Sequence, residues 1–220
     1  MTKEEILTHL SDPSTKLGDV RKLAKEIKKD HALAMALWET GLYLPRQLAI
    51  LIMDKQCLTP ELIDTLVKDI QQHSFEEKTQ LIDWLMANQL SKSKQTISLM
   101  ESWANSPSSL QRRVFWYYQG RLRWMGQTPP PNTEELLLMI EDQLATEVPE
   151  VQWAMNFTAA QIGIFQEAYR SRCLQLGEEI GLYKDEKVAK NCTPNYLPLY
   201  IATQVEKVAR KEGAHVKNKK

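Results

Sequence analysis

The sequence predicts an all-α fold, a HEAT-like α-α superhelix (an α-solenoid) assembled from helical hairpins. Three observations carry this. Apolar residues recur at spacings of three, four and seven from Glu4 to Arg210, and no convincing period-2 run interrupts them. Helix start and stop signals alternate at short intervals. A short pattern, a proline or small residue followed by a polar pair and an apolar run, repeats every 33–40 residues or so, about the length of a two-helix unit.

Thr2 and Glu5 have capping-box spacing and open a helix over 2–10. Periodicity alone places the next two, 19–29 and 31–40, and Gly41 stops the second. A helix over 45–54 follows Pro45. Thr59-Pro60 puts proline in the first turn of 60–72, and Ser74 with Glu77 caps 75–89. Helices over 93–104 and 108–124 come next, with Gly120 or Gly126 as the stop. Thr128-Pro129-Pro130-Pro131-Asn132 is a rigid linker. Beyond it lie 133–145, then 149–164 opened by Val148-Pro149, then 166–180 stopped by Gly181, and finally 197–212. The repeat pattern stands at Pro45-Arg46-Gln47-Leu48-Ala49, at Ser109-Leu110-Gln111-Arg112-Arg113-Val114 and at Pro149-Glu150-Val151-Gln152-Trp153-Ala154. The linker absorbs the longer last interval. One right-handed solenoid domain over 1–212, with inner helices lining a concave surface, is expected; a simple up-and-down bundle is the alternative. The stretch 213–220 reads as a disordered basic tail.

Composition narrows the functional classes. The chain has 220 residues, a quarter of them charged, with a formal net charge of zero. No apolar run approaches the roughly 18–20 residues that a membrane span needs. The acidic N-terminus argues against a signal peptide. Cys57, Cys173 and Cys192 are widely spaced and form no CxxC pair, so neither a disulfide framework nor a zinc site is expected. The expectation is a cytoplasmic monomer.

His9, His31, His73 and His215 are scattered, and GxGxxG, GxxxxGK[ST] and GxSxG are absent. No metal and no cofactor, nucleotide cofactors included, are therefore expected. What remains is charge in unusual places. Asp83 falls in an apolar stripe with Leu81, Ile82 and Leu85, and Arg112 and Arg113 precede the aromatic run Val114–Tyr118. A carboxylate and a guanidinium at such positions either pair with each other or face a ligand. Adjacent arginines point about 100° apart, so at most one shares a groove with Asp83. Trp116 lies one turn after Arg112, and Phe157 one turn after Trp153. Such aromatics are either core or a stacking wall for bases, sugars or a cation. Lys187, Lys190, Lys207, Arg210 and Lys211 belong to a basic C-terminal region, and the neutral total places the balancing acid in the N-terminal half. Segregation of this kind permits phosphate binding.

Together these segments resemble the DNA alkylation repair family, the HEAT-repeat alkylpurine DNA glycosylases. The resemblance runs through Leu44–Asp54, Leu81-Ile82-Asp83, Trp103 with Leu110-Gln111-Arg112, and Glu150–Asn156. It ends in Lys190-Asn191-Cys192-Thr193-Pro194-Asn195-Tyr196-Leu197-Pro198. It implies a protein that holds duplex DNA in its concave face and hydrolyses the N-glycosidic bond of cationic N3- or N7-alkylated purines. No general acid is required, because the cationic base is already a good leaving group. A carboxylate need only stabilise the oxocarbenium-like sugar. On this resemblance Asp83 is the electrostatic stabiliser and Arg112 positions it or the DNA backbone. Phe157 and Trp116, with Thr79 and Trp153, form the substrate wall. Arg46, Arg113, Lys187, Lys190, Lys207, Arg210 and Lys211 contact DNA. The chain departs from the family where Thr79 and Phe157 stand at positions the family gives to tryptophan. The alternative implied is a catalytically inactive module that binds a DNA structure or a protein.

Overall fold

The computed structural model describes the backbone of residues 1–124 and 127–217, and side chains as far as Arg210. Within those residues all regular structure is helical and no strand occurs. Four helices come from the first quarter of the chain: α1 (Lys3–Leu10), α2 (Leu17–Ile27), α3 (His31–Trp38) and α4 (Tyr43–Ile52). Next are α5 (Pro60–Ile70), α6 (Phe75–Asn88), α7 (Lys94–Glu101) and α8 (Ser109–Arg121). The last four are α9 (Thr133–Gln143), α10 (Pro149–Phe165), α11 (Arg170–Ile180) and α12 (Leu197–Lys217). α12 continues five residues into the stretch expected as a tail. Each helix matches a sequence expectation within a few residues, because the capping chemistry is local. Thr2 and Glu5 form the reciprocal capping box. Thr59 and Ser74 accept hydrogen bonds from the third residues of α5 and α6.

The glycines divide by role. Gly41 and Gly181 take φ of +71° and +68°, the left-handed conformation that ends a helix without a Cβ clash. Gly120 does not stop α8, whose last helical residue is Arg121. A Cβ there would lie 2.7 Å from the Phe157 ring, so the glycine admits a close crossing of α10. Gly126 lies outside the described residues.

Contacts divide the chain into two compact units, Met1–Phe115 and Trp116–Lys220. The boundary falls inside α8, as nearest-neighbour packing along a repeat stack allows. In the first unit α3 packs on α4, α4 contacts α2 and α6, and α5 contacts α6. Leu37, Leu48, Ile50, Ile63, Leu66 and Leu81 are fully buried there. In the second, α10 is the central helix, touching α9, α11 and α12. It buries residues on all sides, from Val151 to Ile164, which is the pattern of a helix surrounded by others.

Candidate nucleic-acid interface

α6 turns Leu81, Ile82, Leu85 and Met86 into the core. Asp83 is left at the edge of that stripe with its side chain 24% exposed. α8 supplies the countercharge. Arg113 donates Nε to Asp83 Oδ1 at 2.9 Å and Nη2 to Oδ2 at 2.7 Å, a side-on bidentate pair that fixes both groups. The Arg113 side chain is only 6% exposed. The guanidinium gripping both oxygens of Asp83 belongs to Arg113; the sequence left open which of the two arginines shares a groove with Asp83, and the family resemblance gave Arg112 to Asp83 or to the DNA backbone. Arg112 directs Nη1 to the carbonyl of Ser106 at 2.7 Å. A 100° step between neighbours decides which arginine turns inward, and only packing sets that rotation. Buried and paired, Arg113 is not presented to a phosphate as expected.

Thr79, one turn before Asp83, sends its hydroxyl back to the carbonyls of Phe75 and Glu76 at 2.9 and 3.1 Å. It therefore adds neither a ring nor a hydroxyl donor beside Asp83. Arg46, expected on DNA, is also internal. Its Nη1 donates to the Asp69 carbonyl at 2.9 Å and to His73 Nε2 at 2.8 Å, and its guanidinium lies 4.9 Å over Trp38. Burial depresses the Arg46 pKa, and Asp69 only partly restores it. Arginine can only donate, so His73 Nε2 accepts and its Nδ1–H donates to Glu77 at 2.8 Å.

In the second unit three half-buried rings form one cluster. Trp153 and Phe157, a turn apart on α10, stack at 5.5 Å with planes 9° apart. Tyr117 meets them edge-on at 5.6 and 5.1 Å. The expected partner, Trp116, is fully buried and belongs to the core; its carbonyl accepts from Thr158 at 2.6 Å. Tyr117, the next residue of the aromatic run, takes the place beside Phe157. The same 100° rotation explains this substitution, and the sequence signal was only that run.

Two segments quoted for the family resemblance meet. Asn156 donates Nδ2 to the Asn195 carbonyl at 2.8 Å, and Asn195 is held in turn by Glu186. Lys187, Lys190 and Lys207 are exposed; Arg210 is exposed and bonded to Glu206 at 2.6 Å. The side chain of Lys211 lies outside the described residues. The N-terminal half does carry an excess of acid, 15 acidic against 13 basic side chains in residues 1–110, but part of the offset lies closer. That part stands in the same unit, at Glu134, Glu135, Glu141, Asp142, Glu147 and Glu150. Arg123, which sequence reasoning passed over, is 1% exposed. It ties α8 to the start of α9 through Gln119, Asn132 and Thr133. Burial lowers its pKa to about 10. Among the described residues no group of three or more His, Cys, Asp and Glu could hold a metal ion. No helix among them is long and apolar enough to cross a membrane.

Helical hairpins carrying a paired carboxylate and a ring cluster are the frame in which the comparisons with known proteins fall. The model of the DNA alkylation repair enzyme family matches residues 14–175. The chain belongs to that family. One solved structure, described as a new family of proteins related to the HEAT-like repeat DNA glycosylases with affinity for branched DNA structures, superposes with a TM-score of 0.67. The alignment has 18% identity and covers 95% of this chain and 88% of the other, so the fold is HEAT-like. No curated protein matches.

Proposed function

We propose that this protein binds DNA and recognises its structure, without excising bases. The observation that carries the reading is the bidentate pair of Asp83 with the buried Arg113. A carboxylate useful to an oxocarbenium-like sugar must present net negative charge at the moment that charge develops. Here a guanidinium already occupies both oxygens, and the pair is close to neutral. Thr79, turned back on its own helix, removes one aromatic that the family places beside the acid. Affinity would come from exposed basic side chains on phosphates, and the Tyr117–Trp153–Phe157 cluster would offer a stacking surface where strands open at a branch. The affinity for branched DNA ascribed to the superposable structure supports this reading.

One observation favours the excision reading: Asp83 keeps a quarter of its side-chain surface, enough for one edge to meet a sugar. A single pair of measurements separates the two. Binding to a labelled four-way junction and to a linear duplex of the same sequence is followed by anisotropy. Release of base from duplex carrying 7-methylguanine or 3-methyladenine is followed alongside. The expected result is tighter binding to the junction and no release above buffer. Base release that disappears in Asp83→Asn would overturn the proposal in favour of alkylpurine hydrolysis.

A further inference from the structure

Resting on the DNA-binding reading, we infer that α2 and its C-terminal cap carry a second phosphate-contacting strip, formed by Arg21, Lys25 and Lys28, that tracks one strand of bound DNA. The segment Arg21-Lys22-Leu23-Ala24-Lys25-Glu26-Ile27-Lys28-Lys29 is the densest run of cations in the chain. At 100° per residue, Arg21 and Lys25 fall on one stripe, and Lys28 follows as the C-terminal cap of α2 with φ of +66°. Asp19 and Glu26 project about 140–160° from Arg21, so this stripe holds a single sign. All three cations are exposed. Lys29, the residue after the cap, is by contrast paired with Asp54 at 2.9 Å.

A lysine in the last turn of a helix also has an ordinary explanation, complementing the macrodipole. That explanation does not reach Arg21, in the first half of α2. Its guanidinium sits 4.8 Å over the ring of Trp84, and Trp84 is itself held by its Nε1–H on the Gln47 carbonyl at 3.2 Å. Stacking on an aromatic face fixes the guanidinium plane while leaving its edge donors outward, the arrangement suited to a phosphate. Trp84 follows Asp83 on α6, so the strip begins beside the helix that carries the paired carboxylate. From Arg21 to Ile27, the last residue before Lys28, the rise is about 9 Å, the axial length over which one DNA strand carries about three phosphates. A long anion of regular charge spacing matches this strip better than a compact one.

The test compares three full-length proteins: wild type, Arg21→Gln/Lys25→Gln/Lys28→Gln, and Lys187→Gln/Lys190→Gln/Lys207→Gln. For each, DNA affinity is measured against salt. Each lost phosphate contact removes about 0.9 from the slope of log affinity on log salt, so the α2 variant should lose roughly 2–3. A second arm needs no variant: the rate of acetylation of Lys25 and Lys28 is read by mass spectrometry with junction DNA, with polyglutamate and with neither. DNA should protect both lysines; polyglutamate should not. If wild type binds with a normal slope and the α2 variant keeps that slope, or if both lysines acetylate at the free rate in the complex, the strip is not on the DNA path. Protection by polyglutamate alone would assign the strip to an acidic protein. A wild type that fails to bind DNA at any salt would remove the DNA-binding reading and the strip with it.

Discussion

Arg113 closes on Asp83 with two parallel hydrogen bonds, Nε to Oδ1 at 2.9 Å and Nη2 to Oδ2 at 2.7 Å, from a side chain that is 6% exposed. This contact joins α6 to α8 across 30 residues of sequence. It also decides how the only acid in the apolar stripe of α6 behaves, because it turns a candidate stabiliser of positive charge into half of an ion pair.

Replacing Asp83 with asparagine should therefore cost stability. The buried guanidinium would keep a neutral acceptor but lose its countercharge. Charged hydrogen bonds contribute roughly 1.5–3 kcal/mol; removing one partner of a fully buried pair costs 3–5, roughly. The quarter exposure of Asp83 points to the lower range. The melting temperature, read by circular dichroism, should fall by about 3–12 °C for a chain of this length. An unchanged melting temperature would mean that the pair contributes nothing to the fold.

The exposed C-terminal cations make a separate claim. Neutralising Lys187, Lys190 and Lys207 should weaken binding to all DNA sequences alike, with a shallower salt dependence, because phosphate contacts carry no base information. A change in preference among sequences of equal length, with the slope intact, would contradict phosphate binding there.

Small residues set the approach of the last helices. A Cβ at Gly177 would lie 2.5 Å from Pro198 Cδ and 2.6 Å from Leu197 Cβ, atoms tied to backbone or ring. At Gly163 the nearest atom, also at 2.6 Å, is the Ile201 Cδ1 at the end of a flexible side chain. Gly177→Ala should destabilise by about 1–3 kcal/mol, the range for overpacking, and Gly163→Ala by less. Urea midpoints rank the two; the reverse order would refute the packing argument.

Cys173 is fully buried, and burial pushes its thiol from 9.0 to about 12. Native protein at pH 8 should therefore show fast thiol reaction at the exposed Cys57 and Cys192 only. The folded state holds this proton more tightly than the unfolded chain. The group's contribution is thus constant below about pH 9 and is lost as pH rises from there towards 12. Cys173→Ser removes the thiolate and should flatten that alkaline loss in a denaturant titration. Reaction of Cys173 as fast as that of Cys57 would show that the site opens readily.

Local chemistry was enough for the fold class and for all twelve helices among the described residues. Periodicity, caps such as Thr2–Glu5 and stops such as Gly41 and Gly181 act within a turn or two of chain, so they are written where they operate. The family segments were legible for the same reason. Three matters waited for the tertiary structure: that Arg113 takes Asp83, that Tyr117 replaces Trp116 beside Phe157, and that Arg46 is internal. Each depends on helix rotation, and one residue changes direction by about 100°. The sequence names the residue types near a site; side-chain packing between helices chooses which of two neighbours faces in, and packing is a sum over contacts distant in the chain.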